Sequence, residues 1–177
     1  FVPNQGFIEF TNSSWNTANT YSLRVEVASG LTGVAPTSSP LIVVSPAAPS
    51  KLVWSSQQPT TGPSAGVLDV QPEFTLKDRF DNVAHNAPNT TVTATVSSAN
   101  SADVLAISNA AATNSGATVT FDGLGLEAPV GNYKLSFSAV IAGTEIATNA
   151  TTSTVEITHG SLSAIVVTTQ ASGATSG

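Results

Sequence analysis

Between residues 117 and 139 the chain alternates apolar and polar positions. Val119, Phe121, Tyr133, Leu135, Phe137 and Ala139 are apolar, and Thr120, Lys134, Ser136 and Ser138 lie between them. A period of two marks a strand with one face buried. The same arrangement stands near the start, with Ile8, Phe10, Tyr21, Leu23, Val25 and Val27 apolar and Glu9, Ser22, Arg24 and Glu26 polar. Two copies of one strand–loop–strand unit predict a repeated domain. Phe10 and Phe121 are 111 residues apart, Tyr21 and Tyr133 are 112, and Leu52 and Ile165 are 113. The expected period is therefore about 112 residues.

This period divides the chain into three parts. Residues 1–49 are read as the C-terminal half of one unit, with strands at 7–11, 21–28 and 41–44. Residues 50–158 form a complete unit behind a Pro-containing joint at 45–50, where two prolines favour stiff, extended backbone. Its strands are placed at 51–55, 71–77, 90–97, 104–108, 117–121, 133–140 and 152–158. A Pro/Gly-rich crossing is expected at 58–66, and turn signals at 78–82, 86–89, 109–116, 129–132 and 143–149 separate the strands. Residues 159–177 are read as the first strand of a following unit, and a chain that opens partway through a repeat is expected to be a segment of something longer. Seven short strands without a helical period predict an all-β, immunoglobulin-like β-sandwich, one complete repeat flanked by partial ones.

The runs LVWSSQQP, EFTLKDRFDNVA, TVTFDGLGL and GNYKLSFSA resemble the bacterial Ig-like, or filamin-like, tandem repeats of large cell-surface adhesins, S-layer-type proteins and surface filaments. The resemblance covers residues 51–158. It rests on an apolar first strand ending near Gln58-Pro59, Phe74–Asn82 running into an Asp-x-aromatic turn, the Phe-x-x-Leu of 121–124, and Gly-x-Tyr-x-Leu at 131–135. It implies an extracellular, cell-surface location and a spacer role. Asp81 stands where the family pattern has Gly, so a different backbone is expected there.

Composition narrows the partners. Only 9% of residues are charged and the net charge is −6. Five Lys and Arg cannot assemble a phosphate-binding patch, which argues against nucleic acid. No apolar run approaches the length of a membrane span, so no membrane insertion is expected in this segment. There is no Cys, which excludes disulfides and thiolate chemistry.

Candidate sites are sparse. Tyr21 and Tyr133 open equivalent strands, where a Tyr in this sandwich class bonds back to the preceding loop; with Phe10 and Phe121 they are read as structural. Asp78 and Asp81, with Asn82 between the strands and Asp69 upstream, are a partial oxygen set for Ca2+, and they are equally the residues that close a tight turn. No other cofactor is expected. Asn12, Asn89 and Asn149 begin sequons and are glycosylation candidates in a glycoprotein. Trp15 is the one loop aromatic placed to contact a ligand. His85 and His159 lie in polar loops, no Ser has a Gly-x-Ser-x-Gly setting, and no catalytic residue or enzyme activity is expected. Thr91, Thr93 and Thr95 share a strand face that suits solvent.

These observations predict a structural or adhesive repeat protein whose partners are neighbouring repeats or neighbouring subunits. Two alternatives follow from other features. A filament subunit assembled by strand exchange would use the incomplete unit at 1–49. A module binding a surface glycan or protein would use its loops.

Overall fold

A computed structural model describes residues 13–26, 35–97, 101–141, 143–146, 150–152 and 154–161. Among these, the regular structure is strand apart from one 3-10 turn at Ser101–Asp103. The first strands are β1 (Asn19–Tyr21), β2 (Arg24–Val25), β3 (Thr37–Ser38) and β4 (Ile42–Val44). Then come β5 (Lys51–Trp54), β6 (Thr61–Pro63), β7 (Gly66–Val67), β8 (Glu73–Lys77), β9 (Thr90–Val96), β10 (Ala106–Ser108) and β11 (Ala111–Ser115). The series closes with β12 (Thr118–Thr120), β13 (Gly125–Glu127), β14 (Gly131–Tyr133), β15 (Leu135–Ile141), β16 (Thr144–Glu145), β17 (Ala150–Thr151) and β18 (Val155–Thr158).

The largest sheet runs β16-β15-β9-β11-β12-β8-β5, with β17 also on β15. Two three-stranded sheets, β10-β13-β7 and β14-β18-β6, complete the body from residue 51 onward. The fold is all-β with several packed sheets, consistent with a β-sandwich. β9 illustrates why the elements form. Its β-branched alternation buries Thr90, Val92 and Ala94 and exposes Thr91 and Thr95, and it pairs with β15 across seven positions.

The large sheet folds over at β11, which pairs with β9 through Ala111, Ala112 and Thr113 and with β12 through Asn114 and Ser115. That fold brings β8 and β5 against β15. Phe74, Phe121 and Phe137 are buried, with Phe74 and Phe137 ring centroids 4.9 Å apart and Phe121 and Phe137 5.4 Å apart. Half-buried Trp54 closes the cluster 4.4 Å from Phe74. Each such buried ring contributes on the order of 1.5–3 kcal/mol by leaving water.

Several expectations change. The segment 109–116, expected as a turn, is mostly strand β11; only its ends turn, at Asn109 (φ 48°) and Gly116 (φ 61°). Its Ala/Thr/Asn/Ser composition signals a loop, but partners on both sides supply its ladder, and pairing outweighs propensity. The crossing at 58–66 contains β6 and reaches β7. β13 was not anticipated: Gly125 lets it pass so close to β7 that a Cβ there would strike the Gly66 carbonyl. The strands read at 7–11 and after residue 161 lie outside the described residues.

One pattern occurs twice. β14 pairs with β18, setting Tyr133 opposite Val155; β1 pairs with β4, setting Tyr21 opposite Ile42. β15 pairs with β17 through Ser136 and Thr151, and β2 pairs with β3 through Arg24 and Ser38. At each break between these pairs a hydroxyl continues the ladder. Leu135 N donates to Thr152 Oγ1 at 2.8 Å and Thr152 N to Leu135 O at 2.8 Å. Leu23 N donates to Ser39 Oγ at 2.9 Å and Ser39 N to Leu23 O at 2.7 Å. Both tyrosines reach back four residues: Tyr133 Oη to the Pro129 carbonyl at 3.0 Å, Tyr21 Oη to the Thr17 carbonyl at 2.9 Å.

Candidate functional site

β8 ends in a tight turn at 78–82, after which Val83 bridges back to Lys77. Asp78 sits at the centre of this turn and is fully buried. Its Oδ1 accepts from Phe80 N at 2.8 Å and Asn82 N at 2.9 Å. Its Oδ2 accepts from Asn82 Nδ2 at 2.9 Å and from Ala47 N at 2.9 Å. An ionised carboxylate offers about four lone-pair sites, and all are engaged. Burial pushes the Asp78 pKa up, but the Asn82 side chain and the Ala47, Asn82 and Phe80 amides outweigh it and hold the pKa at about 2.

Asn82 extends the network across the chain. Its Oδ1 accepts from Ala18 N at 2.8 Å and its Nδ2 donates to the Asn16 carbonyl at 2.7 Å. The Asn16 carbonyl and Ala18 amide are two residues apart on one segment, so the side-chain amide pairs with main chain much as a neighbouring strand would. Asp78 thus ties the turn to the joint at Ala47, and Asn82 ties it to the segment entering β1. A single turn holds both ends of the 16–47 stretch.

Asp81 lies in the same turn with φ 69°. This is the left-handed conformation that Gly adopts freely and that Asp tolerates better than most residues. Asp81 therefore occupies a backbone conformation that favours Gly. The Asp81 carboxylate is exposed and pairs with Lys51 Nζ at 2.8 Å. Arg79 lies over the Phe80 ring, 4.6 Å from its centroid.

Asp78 and Asp81, read from the sequence as partial Ca2+ ligands, are not brought together on one site. Asp78 faces N–H donors inside the turn, and Asp81 faces Lys51. Among the described residues no three His, Asp or Glu side chains converge. Asp69 is elsewhere: it caps 60–61, accepting from Thr60 Oγ1 at 2.8 Å and Thr60 N at 3.1 Å. Burial raises its pKa, and the Thr60 hydroxyl with the Thr60, Thr61 and Val70 amides together outweigh it and bring the pKa below the ordinary value.

Trp15 stacks on Tyr21, ring centroids 5.9 Å apart at 14°, beside the Asn16 carbonyl that Asn82 holds. Asn89, His85 and His159 are exposed; Asn12, Asn149 and Phe10 lie outside the described residues. A cleft of about 230 Å³ runs beside the joint, lined by Pro46, Ala47, Ala48, Pro49, Ala84, Asn86 and Pro88. No titratable side chain lines it, so it offers no acid or base.

The sequence marks Asn82 as a turn residue but not its reach to 16–18, a contact across 64 residues that no local pattern encodes. Gln71 was missed for the same reason: its amide accepts from Leu124 N at 2.7 Å and donates to Leu124 O at 3.1 Å. No family model matches the chain, and no curated protein matches it either. No helix among the described residues is long and apolar enough to cross a membrane.

Proposed function

We propose that this chain is part of an extracellular structural or adhesive protein in which immunoglobulin-like sandwich units repeat in tandem and act as spacers. The observation that carries the reading is the bridge from the 78–82 turn to residues 16–18 and 47. A spacer transmits position only if neighbouring units keep a fixed orientation. Two side chains, Asp78 and Asn82, make three hydrogen bonds between the body and the preceding segment. The second occurrence of the β14–β18 pattern at residues 19–44, a strand pairing together with the hydroxyl that continues it, supports tandem repetition.

The test is orientational order across the joint, measured by residual dipolar couplings on the intact chain. The native chain is expected to give one alignment frame for residues 19–44 and 51–158. Asn82→Ala is expected to separate the two frames while the amide spectrum of 51–158 outside the turn is retained. Two independent frames in the native chain would overturn the spacer reading.

A further inference from the structure

The link between β12 and β13 carries the chain from one sheet to another: β12 lies in the large sheet and β13 between β10 and β7. It is fixed at both ends to the segment before β8. Phe121 N donates to the Pro72 carbonyl at 3.0 Å, and Leu68 N donates to the Leu124 carbonyl at 3.0 Å. The Gln71 side chain holds both main-chain groups of Leu124, accepting from its N–H at 2.7 Å and donating to its carbonyl at 3.1 Å. Phe121 and Leu124 are fully buried. Between these anchors stand Asp122, which is exposed, and Gly123 at φ 73°.

Asp122–Gly123 is the one place in the chain where Asp or Asn precedes Gly. In such a pair the Gly nitrogen can attack the Asp side-chain carboxyl carbon, because no Cβ on the following residue crowds the approach. Among the described residues neither the Asp122 carboxylate nor the Gly123 N–H has a hydrogen-bond partner. The other aspartates differ. Asp78 is fully buried and its oxygens are engaged by N–H donors. After Asp81, the Asn82 N–H is engaged by Asp78. After Asp103, the Val104 N–H donates to the Ser101 carbonyl. Asp69 is held by the Thr60 hydroxyl and is followed by β-branched Val70. The fold also demands Gly at 123, since a Cβ there would stand 2.6 Å from Asn109 Nδ2. The least hindered nitrogen is thereby kept beside a free carboxyl.

We propose that Asp122 is a site of covalent self-modification, converting to isoaspartate as the protein ages. The Gly123 nitrogen bonds to the Asp122 side-chain carboxyl carbon. The carboxyl hydroxyl and the Gly123 N–H proton leave as water, giving a cyclic succinimide. Water then adds to the Asp122 main-chain carbonyl carbon, the bond from that carbon to nitrogen breaks, and the nitrogen regains its proton. Water is released in the first step and consumed in the second, and no other reactant is needed. The main chain now runs through the side-chain CH2 and is longer by that carbon. The free α-carboxylate it leaves is the group that an isoaspartate carboxyl methyltransferase would take as substrate. The anchored link has no slack for the added carbon: Gly125 already passes Gly66 where a Cβ would strike its carbonyl. Lengthening is relieved by release of Leu124 from Gln71, and β13 loosens. This inference does not rest on the spacer role.

The experiment ages the intact chain at neutral pH in 18O-labelled water and locates isoaspartate by peptide mapping with electron-transfer fragmentation. Isoaspartate at 122, carrying 18O, is expected to exceed that at every other Asp at least tenfold. Asp122→Glu, whose longer side chain closes the corresponding ring poorly, is expected to show no isomerised product at 122. In the isomerised fraction the Leu124 amide is expected to exchange at least tenfold faster than in fresh chain. Absence of isoaspartate at 122 in the folded chain would overturn the proposal, and a synthetic peptide of residues 118–127, aged alongside, shows whether the fold or the sequence prevents it. Isoaspartate at 122 with unchanged Leu124 exchange would overturn the consequence drawn for β13. The spacer reading fails on a different result, independent alignment frames across the joint.

Discussion

Residues 19–44 and 131–157 share one main-chain pattern and differ in what surrounds it. In both, a Tyr hydroxyl returns to a carbonyl four residues upstream and a Ser or Thr hydroxyl continues the ladder where a strand breaks. Leu135, Val155 and Ile157 are fully buried. Their counterparts are not: Leu23 is 36% exposed, and Ile42 and Val44 are half-buried. The difference lies in the neighbours. Around the second region β6 and β9 complete the pairing, and Phe74 and Phe121 fill the space beneath it. Short-range hydrogen bonding is thus set within the segment, and burial is conferred by strands distant in sequence.

The sharpest way to break this comparison is to truncate the matched leucines. Leu135→Ala is expected to cost about 2–5 kcal/mol, since it opens a cavity in a packed core. Leu23→Ala is expected to cost only about 0.5 kcal/mol, as surface changes do. Urea denaturation of both variants measures the gap, and equal costs would show that the first region is buried in solution.

The matched hydroxyls give the next test. Thr152→Val leaves the buried Leu135 N–H unpaired and is expected to cost about 1–3 kcal/mol. Ser39→Ala, where water can replace the hydroxyl, is expected to cost about 0.5 kcal/mol or less. Denaturation midpoints separate the two.

Acid acts on the bridge between the regions. The Asp78 pKa is lowered from an ordinary 3.8 to about 2, so its charge-dependent stabilisation is complete above the unfolded value and is lost as pH falls through the folded one. The joint is expected to hold unchanged from neutral pH to about 4 and to loosen as pH falls toward 2, with the Ala47 and Ala18 amides losing exchange protection together. Asp78→Asn, which sets donors against donors, is expected to loosen it at neutral pH and lower the melting temperature by several degrees. Native-state exchange against pH checks the order of events.

Two opposing effects are expected to nearly cancel at Asp81. Asp81→Gly relieves a left-handed φ and removes an exposed pair with Lys51 that is worth about 0.2–1 kcal/mol. These oppose each other, and a net change within about 1 kcal/mol is expected in a melting experiment.

Much of this architecture is legible in the sequence. The period of two placed β8, β9, β12 and β15, because a half-buried strand must alternate whatever it packs against. The 112-residue spacing of the tyrosines marked the two regions that share a hydrogen-bond pattern. β11 and β13 were not legible: one has the composition of a loop, and the other owes its place to Gly125 passing Gly66. The candidate site was half legible. Asp78 and Asn82 read as turn residues, and the turn is there.

By itself, then, the sequence determined the alternating strands and the tight turn at 78–82, since these depend on side-chain alternation and on contacts a few residues long. Only the tertiary structure decided which copy of the pattern is buried, where the large sheet folds over, and that Asn82 reaches the main chain of residues 16–18. Those outcomes depend on which distant strands come to lie side by side, and an amide or hydroxyl carries no mark of the backbone it will meet.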